Sequence, residues 1–337
     1  MIRFNNDYSL TGHKAVQKAL GEASGSYAGY GADEWCLRAA DMLRSEAGRP
    51  DAGVFFFSGA TQANLVTIKA ALSPVQSVIC PAAGHINAHE AGAVESTGHK
   101  ILTLPTTDGK ITADQIRDEA EAYFSSGRPE YLTEPGLVYV SFSTEWGTVY
   151  SRKELEEISE VCRRTGMLLF VDGARLGYGL AAEGGDVTMA DIARLADVFY
   201  VGGTKCGALF GEALLVSDPV LKKRMKACMK QSGAVLAKGW LMGVQFCALF
   251  ENGLYYEITR RADGLAMKIR EAVRAKGIPE KVVSPTNQQF IVLTDGQKRS
   301  LAARFLFEEM GDCVRICTSW GTKDEDVDEL IRAIGEC

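Results

Sequence analysis

Two kinds of apolar pattern alternate along this chain. Through its middle, short and continuous apolar runs predict strands at 53–57, 77–80, 100–104, 137–142, 167–172, 198–201 and 213–216. Runs that stay apolar, instead of alternating with polar positions, suit strands buried on both faces, as in a largely parallel sheet covered by helices. Between them, amphipathic helical spacing predicts helices at 61–72, 112–124 and 151–165. Strand and helix alternating in this way argue for an α/β fold, a mostly parallel central sheet with helices on both faces.

After about residue 217 the pattern changes. A long helical stretch is expected from about 219 to 262, interrupted near Gly233 and Gly239, followed by a helix at 264–276. Strands at 289–293 and 313–317 and a helix at each end of 296–337 complete the chain and read as a smaller α+β domain. The expected organisation is a large α/β domain over 46–240 and a small C-terminal domain over 241–337. Residues 1–45 are too few to fold alone and are expected to pack at the domain junction or against a partner subunit.

Composition narrows the class. Of 337 residues, 46% are hydrophobic and 24% charged, the balance of a soluble globular protein. A net charge of -6 leaves no electrostatic footprint for nucleic acid or an anionic membrane surface. The first residues carry no basic segment followed by an apolar run, and no stretch reaches the roughly 20 apolar residues that span a bilayer. Nine cysteines, scattered and without a CxxC pair, suit buried thiols better than disulfides or a metal site. A cytoplasmic protein with no metal is expected.

Three segments carry candidate chemistry. In the first, the apolar run ending at Phe57 passes into Ser58-Gly59-Ala60-Thr61, and a helix begins at once. Free N–H groups there, with the hydroxyls of Ser58 and Thr61, would make a phosphate cup. The same residues would serve as an ordinary helix cap. In the second, Asp172 ends an apolar strand, at the edge where open α/β sheets bind ligands. A carboxylate there can hold a cofactor's ring nitrogen protonated, or merely cap the next turn. In the third, Lys205 follows another apolar strand within Gly202-Gly203-Thr204-Lys205-Cys206-Gly207. Small neighbours admit a planar cofactor, and a desolvated lysine has the lowered pKa that a Schiff base requires. The G-x-G-x-x-G turn of a nicotinamide enzyme is absent.

Ser58-Gly59-Ala60-Thr61 with Asn64, Asp172-Gly173-Ala174-Arg175, and Gly203-Thr204-Lys205 with Gly211-Glu212-Ala213 together resemble the L-threonine aldolase and β-eliminating lyase family. The likeness runs from Asn6-Asp7 to Arg315. It implies an aspartate-aminotransferase-like fold, pyridoxal 5'-phosphate as cofactor, an amino acid substrate, and a homo-oligomer with sites at subunit interfaces. Lys205 would carry the cofactor, Asp172 would pair with its pyridinium nitrogen, and Gly59, Ala60 and Thr61 would bind its phosphate. Thr204 belongs to the same cofactor set, and His85 matches a histidine stacked on the ring. Arg175 would lie near the cofactor's phenolic oxygen or the substrate, and Arg315 matches an arginine that clamps the substrate carboxylate. Tyr30, in Tyr30-Gly31-Ala32-Asp33, resembles a loop supplied by a neighbouring subunit, and Lys226 or Lys230 would neutralise that subunit's phosphate.

Two departures bear on the substrate. Asn6-Asp7-Tyr8 stands where the family commonly has Ser-Asp-Thr, so Asn6 replaces a hydroxyl at the substrate carboxylate. The stretch 141–147 lacks the family's Glu-Asn-Thr-His, leaving Glu145, or a water held by His85, to take the hydroxyl proton. The expected reaction is retro-aldol cleavage of L-threonine or L-allo-threonine to glycine and an aldehyde. The alternatives are β-elimination to pyruvate and ammonia, and a cofactor-binding protein without turnover.

Overall fold

Every strand expected in the middle of the chain is present, though several shift at their ends. The computed structural model describes residues 1–337. After β1 (Ile2–Arg3) come the helices α1 (Lys14–Glu22) and α2 (Glu34–Glu46). Then follow β2 (Gly53–Phe57), α3 (Ala60–Ala71), β3 (Gln76–Pro81), the one-turn α4 (His85–Ala88), β4 (Ile101–Leu104) and α5 (Ala113–Phe124). The alternation continues with β5 (Glu134–Ser141), α6 (Arg152–Thr165), β6 (Leu168–Asp172), α7 (Leu176–Ala181), α8 (Met189–Leu195), β7 (Val198–Gly202) and β8 (Glu212–Val216). Next are α9 (Pro219–Gln231), α10 (Trp240–Phe250), α11 (Leu254–Ala275), β9 (Glu280–Val282) and β10 (Gln288–Ile291). The chain closes with α12 (Asp295–Ala302), β11 (Phe305–Leu306), β12 (Glu308–Met310), β13 (Cys313–Cys317) and α13 (Asp324–Glu336).

Local signals start and stop the helices between strands. Ser151 with Glu154 and Thr112 with Gln115 form capping boxes at α6 and α5, each satisfying two N–H groups at a helix start. Gly166, at φ 76°, ends α6 in the left-handed conformation that glycine adopts without a steric penalty.

The large sheet runs in the order β2-β8-β7-β6-β5-β3-β4. Its pairs are parallel except those made by β8, which is antiparallel to both β2 and β7. Every residue of β5 from Pro135 to Ser141 is buried, as a strand covered on both faces requires. The register pairs Ser141 with Asp172, Gly202 with Glu212, and Phe57 with Glu212. The C-terminal ends of β2, β3, β5, β6 and β7 and the start of β8 therefore lie along one edge.

A second sheet, in the order β12-β13-β10-β9, forms after α11, and β1 pairs with β11 beside it. The first residues thus reach the C-terminal part of the chain, while α1 and α2 lie against α10. No helix is long and apolar enough to cross a membrane.

The helical stretch after 217 corrects the sequence reading at one place. The expected boundary between 262 and 264 does not exist, because α11 runs through Gly264 without interruption. The break falls earlier, at Glu251–Gly253, where Asn252 (φ 55°) and Gly253 (φ 73°) are left-handed. Continuous burial of Ile258, Ala262, Leu265, Ala266 and Ile269 along one face outweighs the poor helix propensity of one glycine.

Candidate active site

At the shared sheet edge lies a cavity of about 340 Å³ lined by Ser58, Gly59, Ala60, Thr61, His85, Asp172, Arg175, Thr204 and Lys205. Nine residues singled out from separate parts of the sequence thus meet in one place. Tyr8, Ser141, Glu145, Tyr200 and Glu212 complete much of the wall.

Each wall has a local cause. β2 ends at Phe57, and α3 starts with Gly59 as its cap, without a side-chain capping bond. Its first N–H groups are thus left for another acceptor. Ser58 Oγ donates to Gln62 Oε1 (2.9 Å), one turn into the helix. Asp172 ends β6, and its Oδ1 accepts the Ala174 N–H (2.9 Å). Its Oδ2 accepts from the Tyr139 hydroxyl and from Asn64 Nδ2 (3.3 Å). Asn64 Nδ2 also donates to Glu90 Oε1 (2.8 Å), the atom that meets His85 Nδ1 at 2.7 Å. One hydrogen-bonded chain therefore joins His85 to Asp172 through Glu90 and Asn64. The turn after Asp172 needs Gly173, since a Cβ there would drive into the Tyr200 carbonyl oxygen.

The loop carrying Lys205 is held from both sides. Gly203 N–H and Thr204 Oγ1 donate to the two oxygens of Glu212 (2.9 and 2.7 Å), and the Tyr178 hydroxyl donates to the Lys205 carbonyl (2.7 Å). Gly211, at φ 109°, turns the chain so that Glu212 can start β8 opposite that loop. Burial lowers the pKa of the Lys205 amine, and the neighbouring Arg175 charge lowers it further. Burial also pushes the Glu212 carboxyl up to about 7.

Arg175 is already paired. Its Nε and Nη2 donate to Asp7 Oδ2 (2.7 Å) and Oδ1 (3.1 Å), and Asn287 Nδ2 adds a bond to Asp7 Oδ2 (3.0 Å). Burial opposes ionisation of Asp7, yet Arg175 and Lys205 together hold its carboxyl at about 2.

Three expected residues do not line the cavity. Asn6 Oδ1 accepts from Tyr8 N–H (3.1 Å) and Ser9 Oγ (2.8 Å), so it shapes the turn that brings Tyr8 to the wall. Arg315 donates to Gln288 Oε1 (3.1 Å) and the Asn5 carbonyl (3.2 Å) and is ion-paired with Glu308. Tyr30 lies on a separate apolar groove with Leu37, Phe55 and Met229, its ring 5.1 Å from the Lys230 ammonium.

Other contacts of the site left no mark in the sequence. Tyr139 is one aromatic in an apolar run, and nothing local shows that its hydroxyl meets Asp172. The Asp7–Arg175 pair joins residues 168 apart, and Asn287 comes from beyond α11. The chemistry available is an amine nucleophile of lowered basicity, a fixed acceptor carboxylate and an open helix start suited to an anion.

The pattern of the beta-eliminating lyase family matches residues 6–295. The chain is 31% identical over 324 residues to a low specificity L-threonine aldolase of Pseudomonas aeruginosa, covering 94% of this chain and 92% of that one. A solved structure of Leishmania major threonine aldolase superposes with a TM-score of 0.96 at 39% identity, covering 100% of this chain and 99% of that one. Aspartate aminotransferase from Thermus thermophilus, at 17% identity and a TM-score of 0.71, covers 100% of this chain and 91% of that one and shares the fold. The fold is therefore aspartate-aminotransferase-like.

Proposed function

The chain belongs to the beta-eliminating lyase family, and from that premise we propose that it cleaves L-threonine, L-allo-threonine and related β-hydroxy-α-amino acids to glycine and an aldehyde with pyridoxal 5'-phosphate. The observation that carries this reading is the meeting of Lys205, Asp172 and the open start of α3 in one cavity. These residues fit the cofactor. The N–H groups of the first turn of α3, with Ser58 and Thr61, would bind its phosphate. Asp172, fixed by Tyr139 and Asn64, would accept from its ring nitrogen. His85, tethered by Glu90, would lie against its ring, and Thr204 would bound it beside the Lys205 amine. When bound, the cofactor supplies an electron-withdrawing ring for the pair released from the Cα–Cβ bond.

The chain's other part is to orient the substrate. An arginine fork and a carboxylate make a bidentate pair of fixed geometry, so Arg315 is the group to receive the substrate carboxylate, exchanging Glu308 for it. Arg175, locked by Asp7, presents a positive wall without swinging into the cavity. The same reading includes a cytoplasmic homo-oligomer. The apolar groove around the exposed Tyr30 and Leu37 is the surface that supports it.

The test is an assay of purified, cofactor-loaded protein offered L-threonine, L-allo-threonine and β-phenylserine, with pyruvate followed from L-serine. Glycine and aldehyde are expected, and Lys205→Ala should reduce turnover at least ~10³-fold, the scale of losing an activated nucleophile. Pyruvate without aldehyde would assign the chain to β-elimination.

A further inference from the structure

Retro-aldol cleavage needs an acceptor for the hydroxyl proton, and the cavity offers few. Asp172 already receives Tyr139, Asn64 and Ala174, and Glu212 receives Gly203 and Thr204. His85 has its Nδ1 against Glu90 and would serve to hold the cofactor's ring. Lys205 is assigned to the cofactor. Glu145 remains. It lines the cavity, and its Oε1 accepts from Ser141 Oγ (2.7 Å) and from the His85 N–H (2.9 Å). Those two bonds come from the end of β5 and the start of α4, so they fix the carboxyl from two elements. Its Oε2 is shielded from solvent and has no hydrogen-bond partner. A buried acceptor left idle costs free energy unless a ligand supplies the donor.

Resting on the aldolase reading, we propose that Glu145 is the catalytic base that takes the proton from the substrate's β-hydroxyl group, a small turn of its carboxyl bringing Oε2 from the wall to the cavity. The O–H electron pair becomes the second bond of the aldehyde carbonyl, and the Cα–Cβ bond breaks. Its electron pair stays with Cα, which gains one proton to leave glycine. One proton is taken from oxygen and one is delivered to carbon, so the cycle has no net proton change.

The surroundings favour a stronger base than an ordinary carboxylate. Burial raises the Glu145 carboxyl, the Asp172 charge raises it further, and Ser141 and His85 oppose them. The other titratable groups around it are Tyr139, Tyr150 and Cys80, all three pushed up by burial. A carboxylate of raised pKa is the stronger base and is ionised only above that pKa. Activity governed by it should therefore rise with pH along a limb lying above the ordinary carboxylate range.

The decisive variant is Glu145→Gln, which keeps the shape and one acceptor but cannot take a proton. In the holoenzyme, aldehyde release should fall roughly 100-fold or more. Glycine, which has no hydroxyl, should bind as tightly as in the parent by calorimetry. The acid limb of kcat should vanish. In difference infrared titration of the cofactor-free protein, a carboxyl C=O band of the parent should be missing. Cleavage within threefold of the parent, or an unchanged acid limb, overturns the assignment. Should E145Q fail to fold by circular dichroism, Glu145→Ala with added formate replaces it. Restored cleavage supports the assignment, and full activity without formate overturns it. A parent that gives pyruvate and no aldehyde overturns the aldolase reading itself; an active parent with an active E145Q overturns only the role of Glu145.

Discussion

Among single residues, Asp7 bears on stability through its ion pair with Arg175. It and Arg175 are both buried, and each leaves an uncompensated charge if the other is removed. Breaking such a pair costs roughly 3–5 kcal/mol. We therefore expect Asp7→Asn to shift the urea midpoint strongly downward, with Asn287 unable to supply the missing charge. The pH dependence has a definite sign. The folded carboxyl of Asp7, at about 2, lies below its ordinary value of 3.8. Its contribution, about 2 kcal/mol from this shift, is present above the ordinary value and is lost as pH falls through about 2. Acid unfolding of the parent should be steep over that range, and the variant should show a shallower dependence. Equal slopes would mean that Asp7 is not ionised in the folded protein.

For the helices, the test is how much local propensity matters once a face is buried. Gly264 is exposed in mid-α11, and a Cβ added there meets nothing within 4 Å. Gly264→Ala should therefore stabilise the protein by about 1 kcal/mol, measured as a raised urea midpoint at unchanged slope. Loss of stability would place the real helix boundary at that glycine, as the sequence pattern suggested. The capping box of α6 gives the opposite case, where the local signal decides. Ser151 Oγ accepts from the Glu154 N–H, and the Glu154 carboxylate accepts the Ser151 N–H. Ser151→Ala should cost about 1 kcal/mol, and a neutral result would show that packing alone starts this helix.

Over the whole molecule, the groove beside α2 and α10 bears on assembly. Tyr30 is 54% exposed and Leu37 56%, side by side with Phe55 and Met229 on an apolar wall. Apolar patches of this kind mark association surfaces. Sedimentation equilibrium should give a dimer or larger assembly. Leu37→Asp should drive it toward monomers and lower activity if Tyr30 serves a neighbouring site. A monomeric parent with full activity would remove Tyr30 from the reaction altogether.

The alternation of strands and helices was readable from the sequence because each buried strand is a continuous apolar run, a signal contained in four to eight neighbouring residues. The segments around Ser58, Asp172 and Lys205 were readable for the same reason, since each follows the end of such a run and the parallel sheet gathers those ends at one edge. The break at Asn252 was not readable, because a glycine at 264 looked the better stop until the buried face of α11 was known. Nor were the bonds from Tyr139 and Asn64 to Asp172, the Asp7–Arg175 pair, the Arg315–Glu308 pair or the idle oxygen of Glu145. Those depend on which side chains face one another across strands and loops, and on which of them water cannot reach. The sequence alone thus determined the order of elements and the kinds of reactive group. Only the tertiary structure decided which carboxylates are paired and which keep a free buried oxygen, as Glu145 does, because pairing and burial arise from contacts between residues far apart in the chain.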